Sequence, residues 1–143
     1  MSVDVVAIAQ TWIGTPYLHQ ASVKGVGCDC LGLLRGVWRE AFGQEPEAVP
    51  PYTPDWSEPQ GQELLLAAAL RHLHRVDVAK ITPGDVLLFR MRQGAVAKHL
   101  GIVSVAGATP QFIHAYSGHG VVQSPLSGPW LRRVAGRFAF QEG

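Results

Sequence analysis

Cysteine and histidine stand in this chain at positions suited to acyl-transfer chemistry. Cys30 opens an apolar stripe that continues through Leu33, Leu34, Val37, Trp38 and Ala41. That spacing predicts a helix with the thiol in its first turn. Unpaired backbone amides and the positive end of the helix dipole favour the thiolate there, which is the reactive form. The same amides can stabilise an oxyanion. Position alone leaves a rival reading open, in which Cys30 is a small buried hydrophobe, as most free cysteines are. Cys28 lies before the helix with nothing obvious to activate it and reads as structural. Gly32, two residues past the thiol, permits close approach of another backbone or of a substrate.

His99 and His114 complete the set. A hairpin closed through Ala106 to Pro110 and centred near Gly107 and Ala108 sets His99 opposite Tyr116 and Gly101 opposite His114. The imidazoles then share a face as diagonal neighbours, about 7–8 Å apart or closer. Gly101 is expected to leave room beside them for a thiolate from the helix layer. A base that accepts the thiol proton, held by a second polar group, is the logic of a cysteine hydrolase. Tyr17 is in reach of a reacting carbonyl or packs beneath its loop, and Asp29 caps the helix or presents a carboxylate to a substrate amine. His72 and His74 flank a helix end, where a solvated cation is welcome, while His19 and His119 lie in loops. A tetrahedral zinc site built from Cys28, Cys30, His99 and His114 fits less well, because Cys-x-Cys at a helix start splays the sulfurs. No cofactor is called for.

These side chains need elements to hold them. The pattern predicts a first helix over Val3–Ile13, capped by Ser2 and ended by Gly14 and Pro16. A second runs from about Cys30, with Asp29 or Cys28 as N-cap, to Gly43. A third spans Leu64–Leu73. Between the last two, Gln44–Pro59 holds five prolines and reads as an extended surface connection and a plausible docking strip. The period then changes. The turn Thr82-Pro83-Gly84-Asp85 leads into a buried strand Val86–Phe89, followed by strands at Leu100–Val105, Gln111–Tyr116, Gly120–Gln123 and Arg137–Phe140. Helices first and strands after point to an α+β domain with an antiparallel sheet.

Composition bounds the function. The chain has 143 residues, read as one domain over 1–143, with 47% apolar and 16% charged side chains, which suits a packed core. A net charge of +1 gives no electrostatic case for nucleic acid or a membrane surface. No apolar run approaches the roughly 20 residues of a membrane span. The start of the chain carries Asp4 and no basic cluster, so no secretory signal is expected.

Five segments in order carry a resemblance: Gly14-Thr15-Pro16-Tyr17; Cys28-Asp29-Cys30-Leu31-Gly32-Leu33; Pro83-Gly84-Asp85-Val86-Leu87-Leu88-Phe89; His99-Leu100-Gly101-Ile102; and Ile113-His114-Ala115. From about Val5 to Phe140 the sequence resembles the NlpC family of cell-wall cysteine peptidases. The stretches His19–Ser22, Lys24–Cys30, Ala97–Ile102 and Phe112–Tyr116 look most like the compact branch encoded with phage tails and gene transfer agents. The resemblance implies a papain-like α+β core, with Cys30 as nucleophile, His99 as general base and His114 as orienter. It further implies that Tyr17 acts near the oxyanion and that Asp29 helps hold the substrate amine. The implied substrates are peptidoglycan stem peptides, often cleaved between γ-D-glutamate and diaminopimelate. The implied partners are tail or baseplate proteins, and the implied location is a phage-tail-like particle acting in a target periplasm. Leu31, where many relatives carry a small serine, alters the expected substrate subsite.

Overall fold

The computed structural model describes residues 4–49, 51–52 and 62–140. Helix α1 (Val5–Gln10) leads through a loop to a two-stranded ribbon, β1 (Ser22–Val23) and β2 (Gly27–Cys28), and then to α2 (Cys30–Phe42). Helix α3 (Leu64–His72) precedes β3 (His74–Val76), β4 (Val86–Arg90), β5 (Ala97–Val105), β6 (Gln111–Tyr116) and β7 (Gly120–Pro125). A short α4 (Gly128–Leu131) and β8 (Val134–Ala139) follow. The six strands from β3 onward form one antiparallel sheet in the order β3-β8-β4-β5-β6-β7. This is the expected α+β arrangement.

Several boundaries differ from the sequence expectation. Helix α1 is shorter than Val3–Ile13, because the Asp4 side chain accepts from the amide of Ala7 and so takes the capping role given to Ser2, which lies outside the described residues. His74 belongs to a strand rather than a helix end, since its backbone pairs with Ala139. The ribbon β1–β2, strand β3 and helix α4 carried too few residues for a period to show. Half of the docking strip, residues 50 and 53–59, falls outside the described residues. Of what is described, Glu45 is bound by Arg35 and Arg39, and Glu47 by Arg71 and His72, so that stretch is tied down.

The sheet has two differently used faces, as a strand's period of two requires. On one, Val86, Leu88, Leu100, Ile102, Ile113 and Ala115 pack against Ala9, Trp12, Leu33, Val37 and Leu65 of the helical layer. On the other, Leu87, Phe89, Val103, Phe112 and Leu126 form a smaller cluster closed by Trp130. Two glycines of α2 set the helix position. A Cβ at Gly32 would collide with the carbonyl oxygen of Ala21, and one at Gly36 with the ring of Trp12. The turn before β4 is held from inside: the buried Asp85 accepts from the guanidinium of Arg137 on β8 and from the amide of Thr82.

Candidate active site

Asp29 stands between β2 and α2. Its backbone is extended, and its Oδ1 accepts from the amide of Gly32 at 2.7 Å. This is an N-cap, which satisfies one of the free amide donors of the first turn and sets where the helix begins. Cys30 becomes the first helical residue and is 6% exposed. Its Sγ lies 3.9 Å from the carbonyl oxygen of Lys98, a long contact to the residue just before His99. Backbone amides of Leu100, Leu31 and Cys30 itself are aimed at the sulfur and favour its thiolate. Burial opposes them, the Asp29 carboxylate adds to it, and the thiol is pushed up to about 12. The helix terminus thus acts in the expected direction but is outweighed. The expectation of a resting thiolate is corrected to a neutral thiol.

The two histidines meet. The β5–β6 ladder pairs Ile102 with Ile113 and Val103 with Phe112, the register expected from the sequence, with a bulge before Val105. His99 Nε2 lies 2.8 Å from His114 Nδ1, and His114 Nε2 lies 2.9 Å from the hydroxyl of Ser124 on β7. This chain leaves Nδ1 of His99 to receive a proton. For Nδ1 to accept, His99 must carry its hydrogen on Nε2 and donate to His114, which then donates from Nε2 to Ser124. The rings are enclosed by Phe89, Phe112, Tyr116 and Trp130. Burial pushes His99 down to about 3, helped by His114, and burial with the nearby His119 pushes His114 down to about 4. Both are neutral at pH 7. The space expected beside Gly101 is filled differently: a Cβ there would come within 2.6 Å of Phe112, so an aromatic ring of the same strand pair, not sulfur, occupies it. The thiol instead meets β5 along its backbone.

Cys30, His99, Tyr17 and Asp29 line one cleft of about 150 Å³, together with His19, Tyr52 and Lys98. Tyr17 is brought there by a parallel bridge to Cys28, which itself is wholly buried. Burial, with Cys30 and Asp29 nearby, raises the Tyr17 phenol to about 12, so it remains a donor at neutral pH. Asp29 Oδ2 accepts from the amide of Gln20 at 2.7 Å and from the Tyr52 hydroxyl, and His19 Nδ1 lies 3.6 Å away. His19 also bonds the Tyr52 carbonyl oxygen at 2.9 Å. The sequence reading missed Ser124 and Tyr52, while His19, placed in a loop by the sequence, lines the cleft. The alternation of β7 held the signal for Ser124, since it lies across from Phe112, two residues from His114 on the same face.

A family model for NlpC/P60 matches residues 14–137. The chain belongs to the NlpC/P60 family. It is 31% identical over 138 residues to the gamma-DL-glutamyl hydrolase of Bacillus subtilis, covering 94% of this chain and 28% of that protein. It is 30% identical over 122 residues to the murein DD-endopeptidase MepS/murein LD-carboxypeptidase of Escherichia coli K12, covering 85% of this chain and 53% of that one. This NlpC/P60 chain therefore spans about half, or less, of the length of those two relatives. Among solved structures, the NlpC/p60 domain of the peptidoglycan hydrolase SagA superposes with a TM-score of 0.63 at 22% identity, covering 96% of this chain and 97% of that one. An NlpC/P60 protein from Bacillus cereus gives 0.66 at 21%, covering 96% and 39%.

Proposed function

We propose that this NlpC/P60 chain is a cysteine peptidase that cleaves peptidoglycan stem peptides. Cys30 is the nucleophile, His99 the general base and His114 the residue that orients it. The observation that carries this reading is the chain His99–His114–Ser124, which ends with Nδ1 of a neutral imidazole in the cleft of a helix-terminal thiol. Thiol and imidazole are both uncharged at rest, so the proton moves as the bond forms. Sulfur attacks the scissile carbonyl carbon, and its hydrogen passes to His99 Nδ1. The imidazolium is held by His114 through the Nε2 hydrogen bond. Helix-terminal amides and the Tyr17 hydroxyl face the developing oxyanion. The tetrahedral intermediate collapses as the amine departs with the proton from His99. Water, deprotonated by His99, then hydrolyses the thioester and restores the thiol.

The bond we favour is γ-D-glutamyl–diaminopimelate, with Asp29 holding the amine of the stem. The names of the two relatives point to γ-glutamyl and murein peptide bonds respectively, in those proteins. We further place the chain on a phage-tail-like or gene-transfer particle, made in the cytoplasm and acting in the target periplasm, on the likeness of its segments around His19, Lys24 and His99 to that branch. Purified peptidoglycan incubated with the protein, followed by mass analysis of the fragments, tests the activity. Wild type should release fragments cut at one peptide bond, and Cys30→Ala should release none while keeping its far-UV spectrum. Equal release by the variant ends the proposal. A non-catalytic docking module is the second reading, and the neutral thiol is the observation on its side. The same comparison separates the two.

A further inference from the structure

A second cavity, of about 690 Å³, opens next to the cleft and is lined by Arg90, Arg92, Arg132 and Arg133 with no carboxylate among its walls. Met91 lines both spaces. Trp130 links them too: its ring is 5.6 Å from that of His99, and the Arg133 guanidinium lies 5.8 Å from it. Four of the chain's nine arginines gather here although its net charge is only +1. Elsewhere four of the five guanidinium groups are matched by carboxylates, while Arg75 meets the Ala135 carbonyl oxygen and the Phe138 ring. Arg35 and Arg39 hold Glu45, Arg71 holds Glu47, and Arg137 holds Asp85. At this cavity Arg90 holds Glu63, but neither Arg132 nor Arg133 has a carboxylate partner among the described residues.

Arg132 and Arg133, adjacent in the chain and without a carboxylate partner among the described residues, repel each other, and an anion relieves that repulsion while gaining paired hydrogen bonds from planar guanidinium forks. We infer that this cavity is a subsite for carboxylate groups of the peptide whose scissile bond lies at Cys30. Arg132 and Arg133 are its main ligands, and a chain crossing the cleft enters it past Met91. The inference rests on the peptidase reading above and deepens it, since it assigns the substrate as one carrying free carboxylates beyond the scissile bond. It also accounts for the location of the cations, within one side chain of the base rather than spread over the surface.

The test uses one synthetic stem tripeptide, L-Ala-γ-D-Glu-diaminopimelate, with its carboxylates free or amidated. For wild type, kcat/KM should favour the free form by about tenfold at low salt, and the preference should shrink at high salt as surface charge is screened. The double variant Arg132→Gln/Arg133→Gln should lower the free-to-amidated ratio about tenfold, mainly through KM. Arg75→Gln/Lys80→Gln, which removes the same charge outside the cavity, should leave that ratio alone. A ratio unaltered by the arginine pair overturns the inference. So does binding of a poly(glycerol phosphate) probe that depends on those arginines while peptide selectivity does not. Binding of both peptides to Cys30→Ala by calorimetry reads the same ratio without turnover. Loss of cleavage with retained selectivity in binding would therefore refute the peptidase reading and leave the subsite standing.

Discussion

The reacting pair is uncharged at rest because each member is buried among groups that disfavour its ion. Burial and Asp29 keep Cys30 a thiol, and burial keeps His99 an imidazole. Alkylation of Cys30 by iodoacetamide should accordingly be slow at pH 7 and rise about tenfold per pH unit through pH 9 without a plateau. A plateau below pH 8 would show a thiolate stabilised well beyond what the surroundings of Cys30 provide. Labelling at neutral pH does not then separate an enzyme from a docking module. Ser124 acts one residue further out. By accepting from His114 Nε2 it selects the tautomer that leaves His99 Nδ1 open. Ser124→Ala should lower kcat roughly tenfold with little change in KM, and Ser124→Thr should recover most of it. A change confined to KM would contradict an orienting role.

At the scale of elements, the thiol is placed by how closely α2 can approach its neighbours. Gly36 lies under the ring of Trp12, and Gly32 under the backbone of Ala21. Alanine is the better helix former by about 1 kcal/mol, so propensity alone favours both substitutions. The collision is larger. Gly36→Ala should destabilise the fold by about 2–3 kcal/mol in a urea titration, and Gly32→Ala by at least as much, because a carbonyl oxygen yields less than a ring. A stabilised variant would mean that the helix has room to shift. These contacts also show what the sequence made legible. The stripe of α2, its cap and the β5–β6 register follow from local periodicity, and they bring Cys30, His99 and His114 to one region. Tyr52 and its contact with His19 were hidden because they reach the site from separate segments, and no local period records which loop closes over which strand, whereas Ser124 was legible in the alternation of β7. The net state of the thiol was hidden for the same reason: amides of its own turn are visible in sequence, whereas burial depends on what packs above.

For the whole molecule, the buried histidines tie stability to pH. An unfolded histidine takes up its proton near 6.5, whereas His99 and His114 in the fold resist it to about 3 and about 4. Between those values the unfolded chain binds more protons, so stability is full above about pH 6.5 and falls as the pH drops. The melting temperature should fall by roughly 5–10 °C from pH 7 to pH 5. His99→Asn should flatten that slope. An unchanged melting temperature over this range would mean that the imidazoles are not held neutral.

The nucleophile belongs to the helical layer, while the base and its supports belong to the sheet. Their alignment is therefore a property of the seam between two layers, where Leu33 and Val37 share one buried cluster with Leu100 and Ile102. Redesign can exploit this division. Walls contributed by the loops, Tyr17 apart, can be recut for a new peptide with little effect on reactivity, whereas a methyl group added or removed along the seam changes the alignment of sulfur and imidazole and so the rate for every substrate alike.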